Sequence, residues 1–355
     1  MSKITRFLFI VILLFLIASL LPFGTLLGPK VLRDYINREL AHKVIAEKVT
    51  QGAKSDEEKA IRLFDYLCTH IFKVSNVYAV NEFPLNDILR GSAYCDQQAN
   101  TLLWLARKAG IKGRLIFLRG YDEASHHSVC DLYIDGKYRI FDPYYAIIFY
   151  DNDGAIATFE DIQKRDKAIR SDAFEAMQLY SGYNPANYYR LYEPTYRPTI
   201  NTKDIKRILA SEFISLYYDL FGDVFVILFQ ESYFRLWDIR PFFRGRLKHM
   251  AFRLDEAIAD YTIAISDAKS SDLIRSEAAF YRAQAIWDKG DYNRAILEFN
   301  KFSKEHPRSR WDVAAQFYLG NSYERLNDFD KAKPFYLKAV RPGQRNLLRL
   351  TREGK

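Results

Sequence analysis

"HHSVCDLYIDGKYRIFDPYY", residues 126–145, reads as two alternating runs joined by Asp135-Gly136, the strongest short hairpin signal a sequence can carry. A two-residue turn there pairs Ile134 with Lys137, and counting back sets Val129 opposite Asp142. Side chains alternate across a strand, so His127, Val129 and Asp131 share a face with Asp142, while His126, Ser128 and Cys130 point the other way. His127 is then the diagonal neighbour of Asp142, within reach of two side chains; a one-residue slip of the turn would bring His126 there instead. Cys130, on the opposite face, reads as core. A histidine and an aspartate on one strand face are half of a catalytic site, and the nucleophile has to come from elsewhere.

The chain has three cysteines, Cys68, Cys95 and Cys130, too few for a disulfide scaffold. Cys68 falls in "SDEEKAIRLFDYLCTHIF", where Ser55 and Glu58 have capping-box spacing and Ile61, Phe64, Cys68 and Ile71 recur at helical spacing, so its thiol reads as a small buried hydrophobe. Cys95 stands immediately before "DQQANTLLWLARKAG", a helix with Ala99, Leu102, Leu103 and Ala106 in one stripe and Gly110 as its stop. A helix N-terminus favours thiolate over thiol, and its free N–H groups could receive an oxyanion. Taken alone, Cys95 fits equally a reactive thiol or a cysteine that merely precedes a helix. A metal site built from Cys68, His70, His126, His127 and Cys130 is the rival use of these residues. However, "CTH" lies on a helix and lacks the paired C-x-x-C spacing of structural zinc sites, so no metal or cofactor is expected.

"GSAYCDQQANTLLWLARKAGIKGRLIFLRGY" followed by the opening stretch resembles the transglutaminase-like branch of the papain-like cysteine enzymes. The likeness rests on a cysteine at a helix start, an alanine-and-leucine helix, a Gly-Ile turn, a strand, a histidine opening the next strand and an Asp-Pro closing its hairpin partner, over roughly residues 60–145. The resemblance implies Cys95 as nucleophile, His127 as general base and Asp142 as the group that orients the imidazole, the same histidine that the strand-face count selects. One departure stands out: Val129 occupies a place where the family often has tryptophan, whereas the acid that usually follows is met by Asp131.

The remaining sequence sets the architecture. A length of 355 residues, 49% of them hydrophobic, suffices for two globular units. The net charge of +8 favours anionic neighbours, but the basic residues are scattered and no nucleic-acid-binding motif appears, so no nucleic-acid partner is expected. "FLFIVILLFLIASLLPFGTLL", residues 7–27, is uncharged and long enough for a transmembrane helix, and it lacks the A-x-A pattern of a cleaved signal peptide. It predicts a single-pass N-terminal anchor with the main domains outside the cytoplasm. "FISLYYDLFGDVFVILF", residues 213–229, carries Asp219 and Asp223 at i, i+4 and therefore reads as an amphipathic helix, docked on the fold or at the membrane surface, rather than a second span. The tyrosine-rich "LYSGYNPANYYRLYEPTYRP", residues 179–198, reads as an ordered loop packed by its own aromatics.

From about residue 238 the sequence repeats, aligning Ala257, Ala295 and Ala332 and, four residues later, Tyr261, Phe299 and Tyr336. With "LGNSY" at 319–323 this resembles the tetratricopeptide repeat, whose helix pairs imply a concave surface for a peptide or protein partner. The expected organisation is a membrane anchor (1–29), a transglutaminase-like catalytic domain (30–200), an apolar helical connector (201–237), tetratricopeptide repeats (238–342) and a basic tail (343–355). The fold class is then an α+β papain-like/transglutaminase-like domain with an N-terminal transmembrane helix and a C-terminal all-α tetratricopeptide solenoid. The expected activity is acyl transfer or hydrolysis on protein or peptide amides through Cys95, His127 and Asp142. The other reading is an inactive scaffold that recruits partners through its repeats.

Overall fold

The structure, a computed structural model, describes residues 4–13, 28–73, 84–119, 125–164, 170–192, 197–201, 205–339 and 342–355. They fall into two compact units, one formed by 1–43 with 203–240 and the other by 44–202 with 241–355.

In the first unit residues 4–13 form helix α1, and Lys30–Thr50 forms α2, whose C-terminal end runs on into the second unit. The anchor expectation has to be corrected. Among the described residues no helix is long and apolar enough to cross a membrane, and with it falls the single-pass location inferred from that helix. Residues 14–27 of that apolar run lie outside the described residues. The second apolar stretch lies in α9 (Ile205–Trp237), which is broken at Gly222 (φ 54°, ψ −141°). Asp219 there pairs with Lys43 at 2.9 Å, and Ser211 donates to Glu39 at 2.6 Å.

The second unit is built on a four-stranded antiparallel sheet of order β3-β2-β1-β4, made from β1 (Gly113–Arg119), β2 (Ser125–Ile134), β3 (Lys137–Phe141) and β4 (Arg197–Asn201). The Asp135-Gly136 turn takes φ of 49° and 78°, the left-handed pair that a two-residue hairpin needs and that glycine adopts freely. Ile134 accordingly pairs with Lys137 and Cys130 with Phe141, the register the turn dictates. Helix α3 (Asp56–His70) starts where Ser55 Oγ accepts from Glu58 N at 3.1 Å and buries Leu63, Phe64, Leu67 and Cys68. Helices α4 (Pro84–Arg90) and α5 (Cys95–Lys108) follow. α5 lies so close to the sheet that a Cβ at Gly113 would meet Leu103 Cδ2 at 2.6 Å and Asp131 O at 2.7 Å. A second core is closed by residues of 140–192: Ile116, Leu118, Val129 and Ile140 pack with Phe149, Phe174, Tyr188 and Tyr192. Helices α6 (Phe159–Lys164), α7 (Asp172–Ser181) and α8 (Pro185–Tyr189) belong to this segment.

Seven helices complete the unit: α10 (Pro241–Met250), α11 (Leu254–Ser266), α12 (Asp272–Asp288), α13 (Tyr292–Glu305), α14 (Asp312–Arg325), α15 (Phe329–Lys338) and α16 (Pro342–Arg352). The aligned alanines 257, 295 and 332 and the aromatics Tyr261, Phe299 and Tyr336 are all fully buried, so the repeating positions are the ones that let successive helices approach and fill the grooves between them. The segment 343–355 enters the last of these helices, where Leu347, Leu348 and Leu350 are buried.

Candidate active site

Cys95 is the first residue of α5 and is partly exposed, whereas Cys68 and Cys130 are buried. The turn into α5 is fixed from both sides: Tyr94 N donates to Gln97 Oε1 at 3.0 Å, and Gln98 Nε2 donates to Ala93 O at 2.9 Å. Gln98 is itself buried, so this start of the helix is held by a group that water does not compete for.

The strand face chosen by the turn carries His127 and Asp142 together. His127 Nε2 lies 2.7 Å from Asp142 Oδ2, with both side chains almost completely buried. Cys95 acts on the same ring, as its part in the His127 pKa shows. Burial alone would lower the His127 pKa. The Asp142 carboxylate and then Cys95 outweigh it and raise the value from 6.5 to about 9, so the ring holds a proton at neutral pH. The imidazole edge is packed by Tyr145, with ring centroids 5.0 Å apart, and by Tyr144 at 5.8 Å.

Asp142 is in turn held by three groups. Besides His127, Tyr188 Oη donates to its Oδ2 at 2.8 Å and Tyr145 N donates to its Oδ1 at 3.1 Å. Tyr188 and Tyr192 lie Oη to Oη at 3.3 Å, and burial followed by the Asp142 charge raises both phenols well above their usual range, keeping them neutral. These tyrosines were not singled out individually in the sequence. The signal was present in "NPANYYRLY": Asn184 Oδ1 accepts from Ala186 N at 3.0 Å, Pro185 opens a short helix that carries Tyr188, and Tyr192 follows four residues later in a 3-10 turn.

The other residues considered from the sequence go elsewhere. His126 is exposed, Cys130 Sγ lies 3.8 Å from Phe141 O in the core, and Cys68 Sγ lies 3.7 Å from Pro143 O. His70 contacts Asp288 of α12 at 3.2 Å. Among the described residues no group of three or more histidine, cysteine or acidic side chains could hold a metal ion.

Residues 43–143 match the transglutaminase-like superfamily, and residues 314–341 match the tetratricopeptide repeat, a module that suggests protein–protein interaction. Two solved structures are similar in part. One, described as "a Putative Cysteine Protease from Cytophaga hutchinsonii", is 18% identical, covering 28% of this chain and 36% of that chain with a TM-score of 0.26. The other, described as "a Putative Protease from Parabacteroides distasonis", is 11% identical, covering 34% of this chain and 25% of that chain with a TM-score of 0.27. No curated protein matches the chain. The chain carries a transglutaminase-like domain followed by a tetratricopeptide repeat.

Proposed function

We propose that this chain is a thiol-dependent acyl transferase or hydrolase acting on protein or peptide amides, with Cys95 as nucleophile, His127 as general acid and base, and Asp142 as the group that orients the imidazole. The observation that carries the reading is the chain His127–Asp142–Tyr188, in which a buried carboxylate fixes one ring nitrogen, together with the partly exposed Cys95 at the start of α5, which acts on the same ring. With the proton already held on His127, the Cys95 sulfur attacks the amide carbonyl. The C–N bond then breaks, ammonia or amine leaves with the proton from His127, and a thioester remains. Water or a second amine, deprotonated by His127, resolves it. The N–H groups at the start of α5 are the donors that would receive the oxyanion of the first step.

The test is to incubate the full chain with a glutamine-containing peptide, with and without an excess of a primary amine, and to weigh the products. Cys95-dependent replacement of ammonia by water or by the amine, or cleavage of the peptide with uptake of water, absent in Cys95→Ser, supports the reading and distinguishes its forms. Equal product from Cys95→Ser would overturn it.

A further inference from the structure

The helices that follow the sheet domain turn one side toward it, and side chains of α10, α12, α14 and α16 reach across. On that side Arg246 Nη2 donates to Ile88 O at 2.7 Å and Arg246 Nε to Leu89 O at 3.1 Å. Tyr281 Oη donates to Arg90 O at 3.0 Å, and Tyr318 Oη donates to Thr69 O at 2.5 Å. Four consecutive or bridged main-chain carbonyls are thus captured by three side chains, the way a groove holds an extended peptide. Phe72 is buried in the repeats' own aromatic core, 6.4 Å from Phe317 and 6.1 Å from Tyr318 between ring centroids. Gly91 (φ +63°) is so closely covered that a Cβ would stand 2.6 Å from Tyr281 Oη and 2.9 Å from Trp311 Cη2. Ion pairs flank the strip: His70 with Asp288 at 3.2 Å, and Arg345 with Asp65 at 3.2 Å. None of these contacts uses α11, α13 or α15, the second helix of each pair.

The gripped strip leads directly to Cys95. Phe72 N donates to Gly91 O at 2.8 Å, bridging Phe72 to Ser92, and Ala93 and Tyr94 follow before the helix begins. We propose that the ligand of the first-helix face of these repeats is the chain's own segments 69–72 and 88–91, and that Arg246, Tyr281 and Tyr318 are positioning residues for Cys95. The face that would otherwise recruit a peptide is filled in cis, and the repeats form part of the framework of the thiol site. The positioning role rests on the acyl-transfer reading; the cis contact does not.

The experiment compares the full-length Tyr281→Phe/Tyr318→Phe variant, which keeps both rings and removes both donors, with Tyr336→Phe. Tyr336 Oη bonds Glu324, Asn321 and Asn346 inside the helical region, so its loss weakens the repeats without touching the strip. Two readouts are taken on folded protein: amide hydrogen exchange over 69–72 and 88–95, and the pH profile of Cys95 alkylation by iodoacetamide. The double variant should exchange about tenfold faster in those segments and shift the alkylation profile, and Tyr336→Phe should do neither. Exchange in 88–95 no faster than in Tyr336→Phe would overturn the cis-ligand proposal. Faster exchange with an unchanged Cys95 profile would overturn the positioning role. The exchange result stands whether or not Cys95 proves to be a catalytic nucleophile, so failure of the two readings can be told apart.

Discussion

His127 shows how far a single residue can be placed from the sequence. Its side of the strand follows from Asp135-Gly136 because strand side chains alternate with period two and the turn fixes the register. Tyr188 could not be placed in that way: it lies 46 residues after Asp142, and only the folded chain brings its hydroxyl to the carboxylate. Tyr188→Phe removes one charge-assisted hydrogen bond while keeping the packed ring, so acylation of Cys95 by an acyl probe should slow by roughly tenfold. A rate equal to wild type would mean that Tyr145 N alone suffices to hold Asp142. The protonated His127 ring also links stability to pH. Its folded pKa, about 9 against 6.5, is raised, so its contribution is fully present below pH 6.5 and is lost as pH rises through 9. Thermal unfolding of wild type and His127→Ala between pH 6 and about 9.5 should therefore show a difference that shrinks with rising pH. A constant difference would contradict the shift.

At the scale of elements, the helix opened by Cys95 and the strand opened by Gly113 meet so closely that the glycine has no room for a methyl group. Gly113→Ala should cost about 1–3 kcal/mol through overpacking against Leu103, Asp131 O and Leu132, measurable in urea unfolding. A neutral substitution would mean that the helix and sheet can separate without loss. The helix and hairpin were legible because apolar spacing and turn chemistry are local signals. The N-terminal anchor was read from the same kind of signal and was not supported: among the described residues no helix is long and apolar enough to cross a membrane. The apolar stretch at 213–229 lies in α9, whose break at Gly222 was not foreseen, because an isolated glycine inside a helical pattern is ordinarily tolerated.

At the scale of the whole molecule, repeating alanine and aromatic positions announced the helix pairs, because each pair needs the same small and large residues at the same places. What fills their first-helix face was not legible: the bond from Tyr318 to Thr69 joins residues 249 positions apart, and no periodicity encodes that. The sheet domain and the repeats share one compact unit, so they should unfold together. Exposure of the buried thiols Cys68 and Cys130 to a thiol reagent, and loss of helical circular dichroism, should show one common urea midpoint for this unit. Separate midpoints would show that the repeats fold independently of the sheet.

The most direct test of the account is covalent capture of an amide-derived acyl group on Cys95 in the native chain, read by mass spectrometry in wild type, His127→Ala, His126→Ala and Asp142→Asn. The account predicts a loss of 10²-fold or more in His127→Ala, on the order expected for a missing general base, a smaller loss in Asp142→Asn, and near wild-type capture in His126→Ala. Capture that depends on His126 and survives the loss of His127 would contradict it.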